Sequence, residues 1–146
     1  MYPMLKHAHS GLRWVVLLLL IVAIVNALIK WRNGKDHTDG DRKIALFAMT
    51  FVHLQLILGL ILYFISPAVQ FNASTMSDKV LRFYSVEHLT IMLIAIALIT
   101  MGYSKAKKGM EAAQKFRPVF VYYLIGLILI LAGIPWPFRM PGAGWF

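Results

Sequence analysis

The chain has 146 residues, 60% of them hydrophobic and only 14% charged, with a mean hydropathy of +0.70. Soluble domains run nearer about 45–50% apolar and about 25% charged, so this composition is that of an integral membrane protein, and the length suits one compact bundle without a separate soluble domain. The chain has no cysteine, which excludes disulfides, thiolate catalysis, iron–sulfur ligation and haem attached through sulfur, and its net charge of +9 is better explained by the basic loops of a membrane protein than by nucleic acid.

Four apolar runs are long enough to cross a bilayer, which takes roughly 20 residues of helix. The first covers about residues 12–29, and its helix is expected to start as early as Pro3, a favoured first-turn residue. It lacks a small-residue cleavage site, so it is expected to stay as an uncleaved first helix. The second covers about 44–65 and is stopped by Ser66-Pro67. The third covers about 80–103, with Ser77 as its expected N-cap. The fourth covers about 119–134 and is stopped by Pro135 and Pro137. Continuous apolar runs of this length favour helix over strand. The predicted fold is therefore all-α: an integral membrane four-helix bundle forming one domain, residues 1–146.

The loops set its expected orientation. Lys30, Arg32, Lys35, Arg42 and Lys43 follow the first span, and Lys105, Lys107, Lys108, Lys115 and Arg117 follow the third. These ten of the fifteen basic residues place both loops in the cytoplasm, so the N- and C-termini and the 66–79 loop are predicted on the outer, periplasmic side of a bacterial inner membrane. The aromatic stretch around Trp136 and Phe138, with Trp145 and Phe146, reads as an interfacial anchor and a cap on that end.

Ionisable side chains inside spans are costly and tend to face a bundle interior, a ligand or a cavity. His9, His53 and His88 are such residues. Counting inward from the basic loops at about 1.5 Å per residue puts His9 about 31 Å from Lys30, His88 about 25 Å from Lys105, and His53 only about 15 Å from Lys43. His9 and His88 thus fall within roughly one helical turn of each other near the outer face. Two imidazoles so placed on facing helices can clamp an iron porphyrin. Arg13, four residues after His9, suits one haem propionate, and Arg82 with Lys79 a second. Tyr84 lies four residues before His88. Glu87 is expected to pair with Arg13 or to carry protons. Gly59, Ala95 and Gly126 are candidates for making room for a flat macrocycle.

A plainer reading stands beside each of these. His9 could be an interfacial residue reaching for water. His53 could hydrogen-bond across helices, with Gln55 doing the same on another face, or could contact a quinone or a proton path. Glycines in spans three and four could be helix contacts. His7 and His37 fall in exposed segments and have no expected role.

The motifs His9-Ser10-Gly11-Leu12-Arg13-Trp14, His53-Leu54-Gln55-Leu56-Ile57-Leu58-Gly59 and Glu87-His88-Leu89 resemble, in this order, one four-helix half of the heme A synthase family. The resemblance implies His9 and His88 as axial ligands to the metal, Arg13 near a propionate, and Gln55 and Gly59 on an adjacent wall. The whole chain is also similar to a family of small cytochrome b-like membrane proteins from Bacteroidetes-type bacteria. Heme A synthases carry two such halves, with the arginine adjacent to the histidine. This chain carries one half, with the arginine four residues on.

The leading expectation is a membrane cytochrome that binds non-covalent haem b near the periplasmic face and transfers electrons, with a quinone or a redox protein as partner. The alternatives are a haem- or quinone-modifying oxidoreductase, active as a homodimer that restores two halves, and a non-redox accessory or assembly subunit of a larger membrane complex. A bare transition-metal site is a further option, though a metal path would call for more acidic or thiol ligands.

Overall fold

The computed structural model describes residues 1–146 and contains helices and no strands. Four helices are long and apolar enough to cross a membrane: α1 (Tyr2–Arg32), α2 (Asp39–Ile65), α3 (Lys79–Lys108) and α4 (Ala112–Gly133). Each outlasts its apolar run, because helical hydrogen bonding continues into the charged ends. Pro3 lies in the first turn of α1, where its missing N–H costs no bond.

The α1–α2 turn is closed by Gly34, whose φ of +61° suits a residue without Cβ. Thr38 then caps α2 in a reciprocal capping box with Asp41. Asp41 is buried, and it pairs with Lys30 at 2.7 Å and accepts from Asn26 at 3.0 Å. One carboxylate therefore starts α2 and fastens it to the end of α1.

The N-cap of α3 is Asp78, one residue after the expected Ser77. Its carboxylate accepts from the N–H groups of Val80 and Leu81, which Ser77 is not placed to do. A π-helical turn at Phe83–Glu87 interrupts α3 immediately before His88. Such wide turns shift the face that the following residues present and often mark functional sites. Ser85, within it, exchanges hydrogen bonds with the backbone of Gln70, and its carbonyl accepts from the Tyr63 hydroxyl. The π turn is thus braced by α2 and the 66–78 loop.

The packing is uneven. α3 and α4 lie closest, α1 packs on both α2 and α4, and α2 and α3 barely touch. Glycines explain the tight pair: a Cβ on Gly102 would sit 2.5 Å from Tyr122 Cβ, and one on Gly126 would sit 2.6 Å from Ile99 Cγ1. Close approach through small residues is how apolar helices gain packing in lipid, where no hydrophobic force drives them together. Ala95, fully buried, and Gly126 are therefore helix contacts and not space for a macrocycle, the plainer of the two readings of the sequence. Tyr123 braces the bundle across its centre by donating its hydroxyl proton to the Ala45 carbonyl at 2.7 Å.

After α4 the chain folds back over the end that holds the N-terminus and the 66–78 loop. Trp14, Trp136 and Trp145 form a cluster with ring centroids 6.1–6.4 Å apart. The C-terminal segment thus caps this end of the bundle.

Candidate functional site

The sparse α2–α3 seam leaves a cavity of about 350 Å³ at the capped end, within the range of small-molecule sites. His9, Ser10 and Arg13 reach it from α1, Gln55, Gly59 and Tyr63 from α2, and Tyr84, His88 and Met92 from α3, while Pro141 and Gly142 of the C-terminal segment close it. Most of its remaining wall is aliphatic.

The His9 and His88 rings meet edge to face, with centroids 6.4 Å apart and planes at 78°. Two imidazoles bound to opposite sides of one metal, at about 2 Å per metal–nitrogen bond, would have centroids roughly 6 Å apart. His88 Nδ1 donates to the Gly133 carbonyl at 2.7 Å. That carbonyl belongs to the last turn of α4, where helix carbonyls lack a backbone partner. A carbonyl can only accept, so Nδ1 carries a proton, and in the neutral form of the ring the lone pair is on Nε2. Metal-binding histidines are commonly oriented by such a bond.

His9 is held differently. Its Nδ1 is buried and has no hydrogen-bond partner, and its backbone carbonyl accepts from Gln55 Nε2 at 2.8 Å. Gly59 lies against the ring, and a Cβ there would come within 3.1 Å of His9 Cε1. Gln55 and Gly59 therefore position His9 from α2, and Gln55 Oε1 is also left without a partner. A buried polar atom without a partner is costly and needs an explanation such as a ligand or water.

Arg13 is buried. Its Nη2 donates to the Trp145 carbonyl at 2.7 Å, and its guanidinium lies over the Trp14 and Trp136 rings. Its Nε is buried and unbonded, so part of the guanidinium remains free.

Other expected residues fall elsewhere. Arg82 is not part of the cavity: its Nε donates to Glu87 at 2.8 Å and its Nη1 to the Met76 carbonyl. Glu87 therefore pairs with Arg82 and not with Arg13, because the π turn brings residues five apart together. Lys79 lies exposed at the start of α3. His53 is outside the cavity, 2.9 Å from Thr100 Oγ1. The threonine hydroxyl proton is already given to the Ile96 carbonyl, so His53 Nε2 is the donor. That is the cross-helix bond of the plainer reading.

His37 is half-buried rather than exposed, packed on Phe116 with ring centroids 4.9 Å apart. Burial, followed by the charges of Lys115, Lys30 and Arg42, lowers its pKa, against an opposing effect of Asp41. His7, at the opposite end, is exposed as expected, and its Nδ1 donates to the Phe146 carbonyl.

Sequence reading missed Tyr2 and Lys6, which also line the cavity. The signal was available: residues 2, 6, 9, 13 and 16 recur at helical spacing and share one face of α1.

The structure holds no group of three His, Cys, Asp or Glu side chains. The two imidazoles, 6.4 Å apart, stand against a mainly aliphatic wall. No family model, curated protein or solved structure matches the chain.

Proposed function

We propose that the chain is a small b-type membrane cytochrome, with one non-covalent haem b between His9 and His88. The observation that carries this reading is the 6.4 Å approach of the two imidazoles inside an otherwise apolar cavity. Haem would supply one-electron redox chemistry. The protein's part is positioning: Gly133 fixes the His88 tautomer, and Gln55 and Gly59 fix His9. Lys6 and the free Nε of Arg13 are the cations suited to propionates, in place of Arg82 and Lys79. Two histidine ligands leave no open coordination position, which suits electron transfer rather than oxygen chemistry. The basic loops orient the cavity toward the periplasmic side of the inner membrane, where a quinone or a redox protein would exchange electrons with it.

The test is a reduced-minus-oxidised visible spectrum of the detergent-purified protein beside His9→Ala, His88→Ala and His53→Ala. Sharp α and Soret bands, lost in the first two variants and kept in the third, are expected. No bands after haem is supplied would overturn the reading.

A second reading has a quinone or quinol in the same cavity without haem. The unpartnered Gln55 Oε1 favours it, since that oxygen could accept from a quinol hydroxyl. Quinone extracted with the protein, and lost in Gln55→Leu, would select it.

A further inference from the structure

A second cavity, of about 330 Å³, lies at the opposite, basic end of the bundle, among the α1–α2 turn, the first turns of α2, the last turns of α3 and the start of α4. Arg42, Lys107 and Lys115 line it from three different helices. The floor beneath them is apolar, formed by Ala45, Ala106 and Val119. We propose that this cavity binds the phosphate of an anionic phospholipid, with the acyl chains continuing along the sparse α2–α3 seam.

Charge balance is the first argument. Asp39 is the only carboxylate on the wall, and it is engaged by Arg42 at 3.0 Å and by Lys43 at 3.2 Å. None of the protein's ion pairs involves Lys107 or Lys115. Arg42 is thus balanced by Asp39, whereas Lys107 and Lys115, from two other helices, line the hollow without a paired anion. Cations held together without counter-charge repel one another, and an anion between them removes that cost.

Amphipathy is the second. A soluble phosphate needs no apolar floor, whereas a phospholipid presents charge and hydrocarbon at this same boundary. Basic pockets between membrane helices are suited to anionic head groups. α2 and α3 are in poor contact apart from the His53–Thr100 bond that joins them. His37 and the Tyr103 hydroxyl add hydrogen-bonding groups to the wall. The proposal does not depend on what occupies the cavity at the other end.

Native mass spectrometry of the detergent-solubilised full chain tests it, with dioleoyl phosphatidylglycerol and dioleoyl phosphatidylcholine as probes. The wild type is expected to retain the glycerol lipid preferentially. Lys107→Gln/Lys115→Gln is expected to weaken that retention about tenfold. Lys35→Gln/Lys108→Gln removes the same charge from the same end but outside the cavity, and is expected to leave retention intact. Equal weakening in both variants would reduce the effect to diffuse charge and overturn the site. Displacement of the lipid by low-millimolar inorganic phosphate would overturn the lipid assignment. Should the glutamine pair fail to fold, Lys107→Arg/Lys115→Arg, which keeps the charge, is expected to retain the lipid, and Lys115→Gln alone to weaken it. Loss of lipid in the arginine pair, or none in Lys115→Gln, would count against the proposal.

Discussion

Arg13 donates to the carbonyl of Trp145 at 2.7 Å, joining positions 132 residues apart. The same carbonyl accepts from Trp14 Nε1 at 2.8 Å. Two neighbours on α1 therefore hold one backbone atom of the closing segment. Arg13→Gln is expected to free residues 134–146. Hydrogen exchange there should rise while α1–α4 keep their protection, with a stability loss of about 1–3 kcal/mol. Unchanged exchange would show that the tryptophan cluster suffices alone.

Gly59 separates stability from occupancy. A larger side chain there fills space beside His9 without burying a polar group. Gly59→Val is expected to leave the thermal midpoint in detergent within a few degrees of wild type, and to lower Soret absorbance per protein at least about tenfold by displacing the His9 ring. Full absorbance in Gly59→Val would mean that His9 is not a ligand.

The α3–α4 contact predicts an opposite pattern. A Cβ on Gly102 would meet both Tyr122 Cβ and, at 3.1 Å, the Pro118 carbonyl, neither of which can swing aside. Gly102→Ala is expected to destabilise by about 1–3 kcal/mol through overpacking, although alanine is the better helix former. A denaturation series should find any surviving folded protein with its cavity unchanged.

Tyr123→Phe tests the central brace. It leaves the ring in place and removes the proton given to Ala45. Loss of one buried bond predicts about 1–2 kcal/mol, read from the midpoint of unfolding in mixed micelles.

His37 gives a pH dependence. Its pKa in the folded protein lies below the usual 6.5, chiefly because burial disfavours the charged ring. On acidification the unfolded chain binds this proton first. Stability is therefore constant above about pH 7 and declines as pH falls through the ordinary histidine value, levelling off only below the lowered one. His37→Gln is expected to flatten that part of the profile. An unchanged slope would assign it to other groups.

Much of the architecture was legible because lipid leaves few options: continuous apolar runs must be helices, and proline and aspartate mark their ends. The approach of His9 and His88 was legible too, since counting residues at a fixed rise puts them within about one helical turn of the same depth. Other contacts depend on helix rotation, which counting does not supply. The π turn changes the phase of α3, and so Glu87 meets Arg82 instead of Arg13. Ala95 and Gly126 look the same in sequence whether they face a ligand or a helix, and only the tight α3–α4 seam decides between the two. Thr100 gave no sign that it would meet His53, because a hydroxyl bonded to its own helix is unremarkable until another helix arrives.

The closing segment has a consequence for biogenesis. Gly133 orients His88, and Trp145 holds Arg13. Both carbonyls lie near or beyond the end of the fourth helix, so they leave the ribosome after the residues they organise. A nascent chain can insert α1, α2 and α3 with both histidines in the bilayer, yet neither the His88 tautomer nor the Arg13 position is fixed. Any occupant acquired during synthesis would enter a cavity that is still open and would be enclosed when translation brings residues 133–146 into place.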